Sequence, residues 1–372
     1  MKKTIIFLLT IIMTINLSGC WDQKIYEKSG FVLQVGFEST STKDMLISFT
    51  IPVVDLTAKE RTELIYSNAG MLREFREKAR KTSAKVVEGG KIQQFLIEDS
   101  LASKGINNLI EVIERDSTDP PTAFVLITEG SPKEMLEALQ GFGDKPLPAF
   151  YIHDLIRSNI KSSYVPETKI FQFSTLYFAP GIDPVAPIIK LQTDKGKGVE
   201  VTGTALFSGD KLVGKIDTKE TPFLLAMMGK MKGTVFVSKR LQEKELENNK
   251  KGCALNINKV KRKLSVEILD NKPIVNISLN LNATVAEFKW NEMYDSDFQQ
   301  HIEEVISAEI KEICEKVLKY TQEVGSDPIG IGDIIRAKHN NYWKTVNWEN
   351  AYKDVVFDVN VNVNISNHGV IR

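Results

Sequence analysis

A cysteine preceded by small residues is the one place in this sequence where residue type and spacing specify a reaction. Leu17-Ser18-Gly19-Cys20 closes an uncharged run, Thr4 to Leu17, which follows Lys2 and Lys3. A positive start, an apolar core and small residues at its end are the layout of a secretory signal with a cleavage site. Cleavage before Cys20 puts its thiol at the first mature position. There the sulfur takes a thioether-linked diacylglycerol and the freed amine takes a further acyl chain. Cys20 is the candidate lipidation site (S-diacylglycerol and N-acyl), and residues 1–19 are the expected signal peptide. The alternatives are an uncleaved anchor and an ordinary signal with an incidental cysteine. A span needs roughly 20 apolar residues, and this core is shorter, with Asn16 and Ser18 near its end. One acyl chain holds a protein to membrane marginally and two or more hold it stably. The mature chain therefore reads as a body tethered outside the cytoplasmic membrane, with membrane lipid as its first partner.

No other constellation specifies chemistry. His153, His301, His339 and His368 are far apart, none at ligand spacing from another His or Cys, and there is no HExxH or CxxC. Metal-binding motifs are usually local, so no metal is expected and each histidine reads as a surface or capping residue. No G-x-S-x-G is present, which removes the commonest hydrolase elbow. Gly330-Ile331-Gly332 has no third glycine in place and no P-loop lysine, so it reads as a turn into a helix at Asp333. Lys195 and Lys197 lie in a glycine linker as solvated charge. Trp343 and Trp348 read as core packing, with ligand stacking as the alternative. Cys253 and Cys314 read as unpaired thiols, Cys314 on the apolar stripe of a helix. No catalytic residue and no cofactor is expected.

The chain of 372 residues has 48 basic and 48 acidic side chains, and 42% of its residues are hydrophobic. Removing Lys2 and Lys3 leaves 46 basic against 48 acidic residues, a formal charge of −2. A nucleic-acid binder shows a clustered basic excess, and this chain does not. The length allows two or three domains, each with its own core.

Alternation and spacing place the elements. Strand-like runs are Phe31 to Phe37, Met45 to Ile51, Ile92 to Ile97 and Ala123 to Thr128. Helical patterns cover Ser67 to Lys85, Asp99 to Lys104, Asn107 to Arg115, Ser131-Pro132 to Leu139, and Phe150 to Ile160. Pro180, Pro184 and Pro187 favour extended structure over Phe171 to Ala179. The DKGKG stretch at Asp194 to Gly198 is read as a boundary. Gly203 to Phe207 and Lys211 to Ile216 then face each other as a hairpin, followed by a helix over Thr218 to Met228 and a strand over Thr234 to Val237.

Gln242 to Gly252, dense in Lys, Glu and Asn, is a solvated loop or second boundary. Beyond it, Val275 to Val285 alternates as a long strand, and Asp297 with Gln300 opens a long helix ended by Asp327-Pro328. A smaller helix follows Asp333. Val355 to Ile365 closes the chain, apolar on one face and asparagine on the other, which suits an antiparallel sheet with one wet face. The expected fold is α+β, with antiparallel or mixed sheets packed against helices. The expected domains are an N-terminal α/β domain at 20–195, a small middle α+β domain at 196–252 and a C-terminal α+β domain at 253–372.

Several of these stretches together resemble the Ger(x)C family, the lipoprotein C subunits of spore germinant receptors. They are Cys20-Trp21-Asp22; Glu98, Ala102, Lys104-Gly105 and Arg115; Gly203 to Phe207 with Lys211 to Gly214; and Asp327 to Gly332 with Trp343 and Trp348. The resemblance covers essentially the whole mature chain in order. Members often carry a histidine just before the strand near Ile92, where this chain has Gly90-Lys91. The resemblance implies a three-domain lipoprotein on the outer face of the spore inner membrane, partnered by integral-membrane A-type and B-type subunits. The rival reading is a solute-binding lipoprotein of an import system, which would show two similar lobes around a cleft. A third is an anchored envelope enzyme, which would show converging groups of perturbed pKa.

Overall fold

The structure, a computed structural model, describes residues 3, 5, 29–42, 44–53, 57–58, 60–143, 145–192, 198–238, 240, 253–288 and 296–367. Cys20, Trp21, Asp22, His368 and the Gln242 to Gly252 stretch lie outside them, as do Lys195 and Lys197.

The N-terminal half begins with β1 (Ser29–Phe31), β2 (Gln34–Ser39), β3 (Met45–Pro52) and β4 (Thr62–Ala69), followed by α1 (Leu72–Thr82). After β5 (Val86–Glu88) and β6 (Gln94–Glu98) come α2 (Asp99–Ala102), α3 (Asn107–Arg115), β7 (Phe124–Glu129), α4 (Pro132–Gln140), α5 (Pro148–Lys161) and α6 (Ile170–Phe178). Three strands, β8 (Val185–Gln192), β9 (Gly198–Ser208) and β10 (Lys211–Asp217), complete an eight-stranded mixed sheet in the order β10-β9-β8-β7-β6-β2-β3-β4.

Both faces of this sheet are covered, which explains why β6 and β7 read as unbroken apolar runs instead of alternating ones. Phe95 and Ile97 point to a core with Phe75, Ile110 and Phe173 of α1, α3 and α6. Leu96 and Leu126 point the other way, to Leu136, Ile152 and Ile156 of α4 and α5.

The C-terminal half contains α7 (Thr221–Met228), β11 (Thr234–Val237), β12 (Cys253–Leu269), β13 (Lys272–Phe288) and α8 (Ser296–Val324). The chain then makes α9 (Ile331–Lys338), α10 (Asn340–Trp343), α11 (Trp348–Ala351) and β14 (Val356–Asn367). Its sheet runs β11-β12-β13-β14. Leu255, Val275, Ile277, Leu279, Val359 and Val363 bury one face against α7 and α8. On the other face Asp358, Asn360, Asn362 and Asn364 are exposed, as the alternation requires.

The α+β reading holds, and the hairpin and the long helix form where expected. Four local readings are corrected. Phe171 to Ala179 is not extended but the helix α6, because the three prolines follow it: Gln172 Oε1 accepts from the Lys169 N–H at 3.0 Å, and Pro180 only ends the helix. The helix expected from Ser67 begins at Leu72, its first residues being taken by β4 pairing with β3. The long helix ends at Val324, before Asp327-Pro328. The closing strand β14 pairs parallel to β13, not antiparallel, since a helical crossover between two strands returns the chain in the same direction.

Strands β8 and β9 flank residues 193–197 and pair antiparallel from Gln192↔Gly198 to Val185↔Leu206. One sheet thus includes strands on both sides of the DKGKG stretch.

Cys253 and Cys314 are free and fully buried, and burial pushes both thiols up to about 12. The thiolate is the reactive form. In the native chain at about pH 8 neither should react with a disulfide reagent, and unfolding should release both. A native-state reaction at either would contradict this burial.

Candidate functional site

Between Asp327 and Trp348 the chain does more than turn. Asp327 is only 2% exposed. Its Oδ1 accepts from the backbone N–H groups of Gly330 at 2.9 Å and Ile331 at 3.0 Å. Its Oδ2 accepts from Gly332 N–H at 2.8 Å and the Trp348 indole N–H at 3.2 Å. The three amides are those at the start of α9, where a carboxylate satisfies unpaired donors and meets the positive end of the helix. Gly330, in the left-handed region at φ 79°, turns the chain so that these amides converge.

A second carboxylate stands beside the first. Asp183, half-buried just before β8, accepts from Gly209 N–H through Oδ1 at 2.8 Å and from Asp327 N–H through Oδ2 at 2.7 Å. Its own N–H donates to the Asp327 carbonyl at 2.9 Å. Ser326 Oγ donates to the Phe207 carbonyl at 2.6 Å, and the Asp333 N–H donates to the Gly181 carbonyl at 2.8 Å. These bonds lace residues 181–183 and 207–209 of the large sheet's end to residues 326–333 of the C-terminal half.

Burial is the main cause that pushes the Asp327 carboxyl up, to about 7; the charge on Asp183 adds to it and the three amides offset it in part. Burial likewise raises Asp183. Two raised carboxyls side by side are what an acid/base pair requires. Here, however, each carboxylate oxygen is engaged by main-chain or indole N–H groups that hold the turn and the two segments in place. The arrangement fastens two parts of the chain together.

Aromatic packing backs the fastener. Trp348 lies 6.0 Å from Trp343 and 5.8 Å from Tyr352, centroid to centroid. The Tyr352 and Thr321 hydroxyls share a hydrogen bond of 2.9 Å. Both tryptophans pack against the C-terminal core, as read from the sequence, and Trp348 has the added indole bond.

The other residues singled out do not assemble with this junction. His301 is exposed on α8, and His339 caps α9 with Nε2 3.1 Å from the Val266 carbonyl. His153 is half-buried on α5. Among the described residues no three His, Cys, Asp or Glu side chains form a metal-holding group, and no helix is long and apolar enough to cross a membrane. The eight-stranded and four-stranded sheets differ in size and strand order, so they do not form a pair of similar lobes. The Asp183–Asp327 pair was missed because its members are 144 positions apart. Its one sequence signal was a Gly-Ile-Gly turn three residues after an aspartate.

Residues 22–191 match a family model described as "Spore germination protein N-terminal domain", and residues 202–369 match one described as "Spore germination B3/ GerAC like, C-terminal". In sequence the chain is similar to spore germination protein GerQC of Bacillus cereus, 24% identical over 372 residues, covering 100% of this chain and 99% of that protein. It is also similar to spore germination protein B3 of Bacillus subtilis (strain 168), 20% identical over 387 residues and covering 100% of both. In fold it is similar to the crystal structure of the GerBC protein, with a TM-score of 0.59, 17% sequence identity, and 90% of this chain and 97% of that chain covered.

Proposed function

The chain belongs to the Ger(x)C family of spore germination proteins, and from that membership we propose that it is the non-catalytic C subunit of a nutrient germinant receptor. The observation that carries this reading is that the two family models succeed each other along nearly all of the chain after Cys20, in the order a C subunit requires.

In this reading acylated Cys20 holds the body on the outer face of the spore inner membrane. Confinement to the surface raises its effective concentration beside A-type and B-type integral-membrane subunits. The body then works by assembly, offering loops and strand edges to those partners. The buried junction at Asp327 supports such a role, since a subunit that transmits contacts needs its parts held in one orientation.

The test is a germination assay on spores whose only copy carries Cys20→Ala, with immunoblotting of membrane fractions. The expected outcome is loss of the protein from the membrane and a reduced response to a particular subset of amino acids or sugars, the rest being unaffected. Normal germination with failed uptake of one solute would replace this reading with the importer.

A further inference from the structure

On the side of the large sheet where β6 and β7 begin, a cavity of about 550 Å³ opens between α5 and the loops that lead into β6, β7 and α6. Its size is that of a small-molecule site. Ile92, Phe124 and Ile160 form an apolar floor, all buried.

The rim is cationic. His153, Arg157 and Lys161 follow one another at four-residue spacing along α5, and so share one face. Lys91, Lys169 and Lys232 come from three other segments. The one carboxylate in the lining, Glu167, is already shared by Lys169 at 3.1 Å and Lys232 at 2.8 Å. Among the described residues, no carboxylate lies within ion-pairing distance of Lys91, Arg157 or Lys161.

One polar atom of the His153 ring is left unmet inside the fold. His153 Nδ1 is buried and has no hydrogen-bond partner, whereas nearly all buried polar atoms have one. Burial first, and then the charge of Arg157, lowers the His153 pKa.

We propose that this cavity binds a phosphate group, carried either by a small soluble phosphoester or by the headgroup of an anionic phospholipid. A carboxylate would balance one of the three uncompensated cations. A phosphomonoester dianion balances two, and although the diester phosphate of a phospholipid headgroup balances one, either form presents oxygens tetrahedrally to donors arriving from different directions, one of them the planar fork of Arg157. The proposal rests on the pocket alone and stands whether or not Cys20 is acylated.

The detergent-solubilised full-length chain would be titrated calorimetrically with inorganic phosphate and with glycerol phosphate. Binding to phosphatidylglycerol vesicles would be compared with binding to phosphatidylcholine vesicles, a comparison in which any anchor contributes equally. Two variants of equal charge loss are compared: Arg157→Gln/Lys161→Gln in the cavity and Lys259→Gln/Lys261→Gln on exposed β12.

The expected result is saturable binding that weakens about tenfold or more in the cavity variant, a change of about 1.4 kcal/mol, and stays unchanged in the β12 variant, with both melting temperatures kept. Binding in the soluble arm assigns a phosphoester, and preference confined to phosphatidylglycerol assigns the headgroup. Absence of binding in both arms, or equal weakening by the two variants, overturns the proposal.

Discussion

Replacing Asp327 by alanine is expected to lower the stability of the folded chain by about 4 kcal/mol, since each buried donor left unpaired costs about 1–3 kcal/mol. The substitution strands the N–H groups of Ile331 and Gly332 and the Trp348 indole; Gly330 N–H keeps only a long bond of 3.3 Å to the Asp327 carbonyl. Relief of repulsion against Asp183 acts in the other direction. It is the smaller effect, because Asp183 keeps its own two amide partners.

Asp327→Asn keeps one acceptor oxygen and should cost about half as much. It also isolates the titration. The folded carboxyl is raised to about 7, above its ordinary value of 3.8. Between those values the folded chain holds a proton that the unfolded chain has lost. This group's stabilising contribution is therefore complete below the unfolded value and is lost as pH rises toward 7. The Asn variant should lack that part of the slope. Denaturant titration across this pH range checks both statements. A loss under about 1 kcal/mol in the alanine variant would mean that the junction fastens little.

The second large effect is expected at Gly332. A Cβ there would stand 2.3 Å from Trp348 Nε1 and 2.7 Å from the Cα of Gly181, which itself sits at φ 82° with no room for a side chain. The two backbones pass at contact distance, and neither a rigid indole nor a main chain can yield cheaply. Gly332→Ala should cost about 3 kcal/mol, the upper range for overpacking. Because relief requires Trp348 to swing away from Asp327, Gly332→Ala and Asp327→Ala disrupt the same bond. Together they should cost less than their sum. Strict additivity in a double-mutant cycle would show that the glycine contact and the carboxylate act separately.

What the sequence disclosed about the fold depended on whether the signal was local. Ser131-Pro132 predicted the start of α4, and Ser131 does cap it, its Oγ accepting from Glu134 N–H at 3.1 Å. The alternation from Val275 to Val285 and from Val355 to Ile365 marked two strands of the C-terminal sheet, because one face of each is wet. Strand β12 escaped notice because Lys259, Lys261, Arg262 and Lys263 interrupt its alternation where it runs exposed along β13. The parallel pairing of β14 was equally hidden, since residue pattern alone does not state strand direction.

The junction and the cavity were illegible for a different reason. Asp327 read only as the end of the long helix and Asp183 carried no signal of its own, so only the fold brings them together. His153, Arg157 and Lys161 carried a visible four-residue spacing. Its meaning depended on Lys91 and Lys232, which no local pattern connects to α5.

The most direct test of the receptor assignment is affinity purification of the tagged full-length chain from solubilised spore inner membranes, with mass spectrometry of both the chain and whatever accompanies it. Membership in a receptor predicts a mature N-terminus at Cys20 carrying diacylglycerol and an acyl group, together with one A-type and one B-type integral-membrane subunit. Recovery with the membrane components of a solute importer, or of a chain whose Cys20 is unmodified and which has no membrane partner, would contradict it.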